Sequence, residues 1–192
     1  SFRARNGLAC PVGCGTCCEH FIPDILPVEA SYLAAWLVRN QPKRALSLTR
    51  DGFPEEAEGC PLYNPDDPTA HCTVYPGRPL ICRLFAFSGI RSKIGEPAFS
   101  LCRLMPNLSP PHADRRSWAG RELEDVLGVP PLMSDFAEEL ESVCPGDGSR
   151  RALLTEALPP AISQVFFLCG LRDDGKPGSD GNDPVTPLPQ AS

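Results

Sequence analysis

The chain has 192 residues, 42% of them apolar, and a formal net charge of −6. This length predicts one domain or one domain with an appendage. The acidic balance argues against a protein that binds nucleic-acid phosphates. No uninterrupted apolar run reaches the length of about 18 residues that a membrane span requires, and no signal peptide is visible. We therefore expect a cytoplasmic protein with neither a membrane nor a nucleic-acid partner.

The N-terminal half is expected to contain one clear helix between irregular segments. Pro27 suits a first helical turn and Glu29 suits the positive helix start, while Pro42 ends the segment. Between them, Leu33 and Leu37 share an apolar face. The elements expected in this half are helices over 27–40 and 43–49, a short helix or turn from Pro79, and one hairpin within 87–105.

Beyond residue 111 the sequence becomes helical. Asp114 is a candidate N-cap for the first helix, and Gly128 is a stop signal for it. The last helix is expected to break at Pro159 and Pro160 and to end near Gly170. The segments that predict helices are ADRRSWAGRELEDVLG, PPLMSDFAEELESV and SRRALLTEALPPAISQVFFLCG.

Eight of the ten cysteines lie in the N-terminal half. Four of them occupy the nine residues CPVGCGTCC, and the other four are far apart in sequence, so the fold must bring them together. Glycine and proline between the cysteines argue against a regular helix and favour a backbone that wraps around a metal. The eight candidate ligands are Cys10, Cys14, Cys17, Cys18, Cys60, Cys72, Cys82 and Cys102.

Thiols at this density serve metal sites or disulfides. Thiolate is a soft ligand that suits zinc or an iron–sulfur cluster. Eight thiolates exceed the needs of one four-coordinate ion, so two zinc ions, a cluster plus a second site, or metals bridged by shared sulfurs are all compatible with the sequence. The alternative is a secreted interaction protein stabilised by disulfides. We favour metal over disulfides because the sequence gives no sign of export and the chain is long enough to fold without disulfide bonds.

A thiolate site needs positive charge near it. One divalent ion with four thiolates carries two net negative charges, which are costly to bury unless they are offset. Arg78 lies four residues before Cys82, while Arg83 and Arg103 directly follow cysteines. These arginines are either donors to the sulfurs or ordinary surface residues.

The order of the cysteine segments resembles a known family pattern. The chain has CPVGCGTCC, then GCPLY, then HCTVYPGRPLICRLF and finally Cys102. This arrangement resembles the CxxCxxCC cysteine-cluster family, also called YkgJ-type, whose members are described as zinc- or iron-chelating proteins. The first gap has three residues rather than two, and Ala86 stands where the family often has Pro. The resemblance covers about residues 10–105.

The resemblance implies metal binding but supplies no reaction. It implies that the eight candidate cysteines are ligands and that Tyr75, Arg78, Pro79 and Arg83 occupy supporting positions. An alternative is a metal- or cluster-dependent redox or transferase enzyme, since flagellin lysine methylases carry a related cysteine cluster. The chain has no glycine-rich phosphate loop, no His-Glu-x-x-His and no Gly-x-Ser-x-Gly, so no catalytic residue is assigned.

Four further residues have two interpretations each. His20 and His71 stand near cluster cysteines and could be auxiliary ligands, although a loop histidine without a metal role is the favoured interpretation. Cys144 and Cys169 lie outside the resemblance. We expect both to be buried structural thiols.

We therefore predict a mainly α fold with an irregular, loop-rich cysteine-cluster region organised around a metal site. Residues 1–110 are expected to form the metal-binding region, 111–170 a helical region that packs on it, and 171–192 a disordered tail. The expected cofactor is zinc or iron, with an iron–sulfur cluster as one form of the iron. The sequence does not identify a protein partner.

Overall fold

The computed structural model describes residues 1–54, 58–67, 71–108, 112–147 and 150–173. About half of this part of the chain is helical, and a few short strands accompany the helices. The helices are α1 (Phe2–Arg5), α2 (Thr16–Glu19), α3 (Pro27–Asn40), α4 (Pro42–Asp51), α5 (Leu80–Leu84), α6 (Gly120–Val126), α7 (Met133–Val143) and α8 (Leu154–Asp173), with 3₁₀ turns at Tyr75–Gly77 and Pro145–Asp147.

Helix α3 has the bounds that the sequence predicts. Pro27 occupies its first turn, and the chain leaves the helix at Gln41, before Pro42. Its apolar face is fully buried at Leu33 and Leu37. Helix α4 follows at once and is longer than the predicted 43–49, because Pro42 begins it and Gly52 ends it.

The described strands form two small antiparallel sheets. In the first, β1 (Asp24–Ile25) pairs with β5 (Ala152–Leu153), which brings the chain before α3 beside the chain before α8. In the second, the order is β2 (Ile90–Arg91), β3 (Pro97–Ser100) and β4 (Ser117–Ala119). Strands β2 and β3 are the predicted short hairpin.

Strand β4 replaces the start of a predicted helix. We expected Asp114 to be the N-cap, but α6 begins only at Gly120. Trp118 is opposite Phe99 in the sheet and is buried against it, with the ring centroids 6.4 Å apart. Packing of this tryptophan therefore overrides the helical pattern of its segment. The predicted stop is confirmed, since Gly128 has φ +79° after the last turn.

The predicted break at Pro159 and Pro160 is wrong, because α8 runs through both prolines. Neither proline has an N–H to donate to the carbonyl four residues earlier. Leu158 and Ile162 are fully buried on either side of them, and this packing keeps the segment helical. The helix continues to Asp173, and residues 174–192 of the predicted disordered tail lie outside the described residues.

Two hydrophobic clusters form the core. The first joins α3, α4 and α8, and Cys60 and Cys72 pack against it. The second joins α1, β3, β4 and α6, and Cys102 packs against it. The cysteine-bearing segments therefore border both clusters. None of the described helices has the length and apolar character that crossing a membrane requires.

We expect Pro160→Ala to stabilise the protein. Pro160 is exposed within α8, so alanine removes no core contact and restores an N–H that can donate to the Glu156 carbonyl. The free energy of unfolding should rise by about 1–3 kcal/mol, measured by equilibrium urea denaturation. Pro27→Ala is the control and should bring little gain, because proline suits the first turn of a helix. An unchanged Pro160→Ala midpoint would contradict this prediction.

Candidate metal centre

Five of the eight candidate ligands line one cavity of about 60 Å³. They come from segments that are distant in sequence. Most of the remaining wall is apolar, and Arg78 contributes the permanent charge among the described residues that line it. The five cysteines are Cys17, Cys18, Cys60, Cys72 and Cys82.

The other three candidate ligands, Cys10, Cys14 and Cys102, lie outside the described lining of this cavity. Burial raises the pKa of the Cys10 thiol, and the nearby thiols of Cys14, Cys102 and Cys17 raise it further. Cys17 also lines the cavity. The structure therefore brings five of the eight cysteines together at the cavity, and the charges of Cys14, Cys17 and Cys102 act on Cys10. Within the described ranges, no group of three or more Cys, His, Asp or Glu side chains has the arrangement of a metal site.

The CPVGCGTCC segment forms one helical turn rather than a regular helix. Helix α2 holds Cys17 and Cys18, and the Cys18 N–H donates to the Gly15 carbonyl at 2.7 Å. The Cys60 N–H donates to the Cys18 carbonyl at 2.8 Å. A backbone hydrogen bond thus joins two cysteines that are far apart in sequence and fixes the distance between their segments.

Gly59 is required for this contact between segments. A Cβ at residue 59 would lie 2.3 Å from the Glu19 carbonyl oxygen and 2.6 Å from the Cys18 carbonyl oxygen. Both neighbours are backbone atoms, which cannot rotate away. Only glycine therefore lets the chain before Cys60 pack directly on the chain that carries Cys18.

A pair of antiparallel segments positions Cys72. Residues Tyr63 and Cys72 form an antiparallel bridge, and the Asn64 N–H donates to the His71 carbonyl at 2.7 Å. The His71 Nδ1 atom lies 2.9 Å from the Asn64 carbonyl oxygen, so the ring takes part in this loop. Neither His71 nor His20 is among the described residues that line the cavity. A role of either histidine as an auxiliary ligand stays a prediction, with the loop interpretation favoured.

The buried carboxylate of Glu29 positions the helix that carries Cys82. Its Oε1 accepts a hydrogen bond from the Leu80 N–H at the start of α5, at 2.7 Å. Its Oε2 accepts one from the Leu26 N–H at 2.8 Å and lies 3.7 Å from Arg151 Nη1. The sequence indicates Glu29 as a helix-start residue, but its bond to α5 spans 51 positions and has no local signal.

The pKa values of the cavity thiols differ widely. The hydrogen bond from Cys18 lowers the pKa of Cys17 to about 6, and the same bond raises the pKa of Cys18. Burial, followed by the charges of Cys60 and Cys72, raises the pKa of Cys82 to about 12. Because a metal binds thiolates, occupation of this cavity must release protons.

Among the three candidate arginines, only Arg78 lines the cavity. Arg83 is exposed and donates from Nε to the Arg78 carbonyl at 2.7 Å and from Nη2 to the Pro76 carbonyl. Arg103 is exposed. Arg78 is therefore the remaining candidate for a hydrogen-bond donor to the sulfurs. Arg83 instead holds the turn that precedes Arg78.

Neither of the two C-terminal cysteines is fully buried, although both were expected to be. All ten cysteines lie in the described part of the chain, and none is in a disulfide. Cys144 is half-buried, but Cys169 is exposed, so its interpretation as a buried thiol is wrong. It stands in the last part of α8, where Phe167 and Leu168 are 66% and 51% exposed.

Comparison with known proteins found a family model that matches the cysteine segment. A family model named CxxCxxCC, with the description "Putative zinc- or iron-chelating domain", matches residues 9–109. The chain belongs to this family. No curated protein matches the chain, and no solved structure matches it. The match confirms the resemblance predicted from the sequence and spans all eight candidate cysteines.

The backbone at Ala86 bears on the proline that the resemblance leads us to expect there. Ala86 has φ +68° directly after α5 and Phe85. A proline ring holds φ near −65°. Proline therefore cannot adopt the backbone conformation that this chain has at residue 86.

Replacement of Glu29 by Gln should destabilise the fold. The carboxylate is only 6% exposed and accepts two backbone hydrogen bonds beside Arg151. Glutamine keeps one acceptor, turns an NH₂ group toward a backbone N–H and removes the ion pair with Arg151, which then has only Glu141, at 4.0 Å. We expect a loss of about 2–4 kcal/mol in the free energy of unfolding, measured in urea.

Glu156→Gln is the matched control for this change. Glu156 also stands in the first turn of a helix, but it is exposed, so its loss should stay below about 1 kcal/mol. Equal effects of the two substitutions would contradict the structural role of Glu29.

Replacement of Gly59 by Ala should separate the segments that carry Cys18 and Cys60. The added methyl group overlaps backbone atoms, so we expect a loss of about 1–3 kcal/mol in stability together with a lower metal content. Gly146→Ala is the control, because its Cβ would meet no atom of the described residues within 4 Å. Urea denaturation and elemental analysis of both variants test the prediction, which fails if Gly59→Ala retains wild-type values.

Proposed function

We propose that the protein binds zinc or iron through its cluster cysteines, with the thiols of the cavity as the enclosed part of the site. The observation that carries this proposal is the convergence of five cysteines from distant segments on one cavity. Thiolates are the ligands that zinc and iron–sulfur clusters use. Membership of a family described as zinc- or iron-chelating supports the same class of metal.

The donor set fits such a group. The cavity offers more sulfurs than one tetrahedral ion uses, and a guanidinium on its wall can offset thiolate charge. Cys10, Cys14 and Cys102 then form an outer part of the site that shares Cys17 with the enclosed part. This division suits two metal ions or one cluster with a second ion. A metal bound there would contribute to folding, or to electron transfer if it is iron.

The proposal keeps the expected organisation of the chain. Residues 1–110 act as the metal-binding region and 111–170 as the helical region that packs on it. Helix α8 supports this division, since its Leu154 lines the cavity and its buried residues belong to the same cluster as those of α3. A cytoplasmic location agrees with a need for reduced thiols.

A second candidate function is a metal- or cluster-dependent redox or transferase enzyme. A wider cleft of about 550 Å³ shares Cys18 and Cys60 with the cavity and includes Arg44 and Tyr63 in its wall. Clefts of this size hold small-molecule substrates in many enzymes. Co²⁺-substituted protein separates the two functions. A spectrum unchanged by added azide indicates a site closed by protein ligands, and an altered spectrum indicates an open position on the metal.

Removal of the metal should lower the melting temperature. A ligand present at about 1,000 times its Kd adds about 4 kcal/mol of stability, which corresponds to roughly 10 °C for a chain of this size. We expect a shift of this order between anaerobically purified protein and chelator-treated protein. Elemental analysis and a visible spectrum of the same sample identify zinc or iron.

Cysteine variants test whether the shift in melting temperature comes from metal bound at the cavity. Cys82→Ser should reduce metal content and the melting temperature, because Cys82 lines the cavity. Cys169→Ser is the control, since Cys169 is exposed on α8 and lies outside the family match. Wild-type protein that binds neither metal, or a Cys82→Ser variant with full metal content, would contradict the proposed site.

A further inference from the structure

Arg78 has a buried donor with no acceptor. Its Nε atom is one of three buried side-chain nitrogen or oxygen atoms that have no hydrogen-bond partner among the described residues. The other two belong to Ser92 and Trp118, which do not line the cavity. A buried donor without an acceptor costs about 1–3 kcal/mol, and more when the group is charged. This cost indicates that Arg78 has a partner in the functional state.

The surroundings of Arg78 hold the side chain in place. Its guanidinium carbon lies 3.6 Å from the centroid of the Tyr75 ring, in a cation–π arrangement. Arg83 fixes the backbone of the same turn by donating to the carbonyls of Arg78 and Pro76. The Tyr75 ring therefore orients the guanidinium, and Arg83 holds the backbone that carries it.

Arg78 lies beside the cavity thiols. It lines the same cavity as the five cysteines, and its guanidinium supplies the permanent charge among the described residues of that wall. An enclosed site with several thiolates around one divalent ion carries net negative charge, and removing that charge from water is unfavourable without a compensating cation. A guanidinium supplies both the charge and directional N–H donors.

We propose that Arg78 is the positioning residue of the thiolate site, donating its Nε–H to a metal-bound cysteine sulfur of the cavity and offsetting the charge of that site. The inference rests on the proposed function, since it requires a metal in the cavity. It assigns different roles to arginines with similar sequence contexts: Arg78 contacts the ligands, Arg83 holds the turn, and Arg103 has no part in the site.

Titration with Co²⁺ under anaerobic conditions tests this assignment. Loss of a hydrogen bond to a metal-bound thiolate raises the energy of the sulfur electrons, so the sulfur-to-cobalt charge-transfer band should move to longer wavelength in Arg78→Gln. The Kd for Co²⁺ should increase by about 10- to 100-fold. Arg78→Lys keeps the charge without the Nε–H and should give an intermediate Kd. Arg103→Gln is the matched control and should leave both the band and the Kd unchanged.

The outcomes distinguish this inference from the function on which it rests. Wild-type protein that binds no Co²⁺ overturns the proposed function. Wild-type protein that binds Co²⁺ with the same band and Kd as Arg78→Gln overturns the role of Arg78, and so does an equal effect of Arg103→Gln. Circular dichroism of the metal-free variants checks folding. If Arg78→Gln is unfolded, Arg78→Lys replaces it, and a wild-type band and Kd in that variant overturn the role.

Discussion

The buried carboxylate of Glu29 connects the helical core with the cysteine segments. It accepts hydrogen bonds from the chain before α3 and from the start of α5, and it faces Arg151 in the chain before β5. A buried carboxylate is tolerated only when such partners surround it. The three segments must therefore meet at one point. Since α5 carries Cys82 and β5 leads into α8, the same interaction relates the cavity to the packing of the long helices.

The cysteines lie where the two hydrophobic clusters face one irregular region. Cys60 and Cys72 pack on the cluster of α3, α4 and α8, whereas Cys102 packs on the cluster of the second sheet and α6. Protonated thiols behave as small apolar groups, so both clusters can form around them without a metal. Under the function that we propose, binding of a metal would convert the cavity thiols into thiolates, and Arg78 would offset the charge that this step creates.

Sequence patterns predicted correctly those helices whose ends and buried faces depend on residues close together in the sequence. Helix α3 follows from Pro27, Pro42 and an apolar stripe, and its bounds are confirmed. Trp118 fits a helical stripe equally well, but its partner Phe99 is 19 positions away and draws the segment into a strand. The prolines of α8 predict a break for the same local reason, and burial on both sides of them prevents it.

The candidate ligands were identifiable from the sequence, but their grouping was not. Spacing and motif indicate eight cysteines, and the family match spans them. Their division into five at the cavity and three outside its described lining depends on long-range contacts, such as the bond from the Cys60 N–H to the Cys18 carbonyl that Gly59 permits. The sequence also could not distinguish the roles of the arginines, because Arg83 and Arg103 both follow a cysteine. Only burial identifies Arg78 as the residue that faces the thiols.

The family match ends at residue 109, yet the cavity depends on residues beyond it. Leu154 closes part of the cavity wall, and Arg151 stands beside the carboxylate that holds α5. Helix α8 also covers the apolar face of α3, from which that carboxylate projects. A segment of residues 9–109 alone would keep all eight cysteines but expose this face and leave Glu29 without its cation. Helix α8 and the chain before it are therefore part of the structure around the cavity.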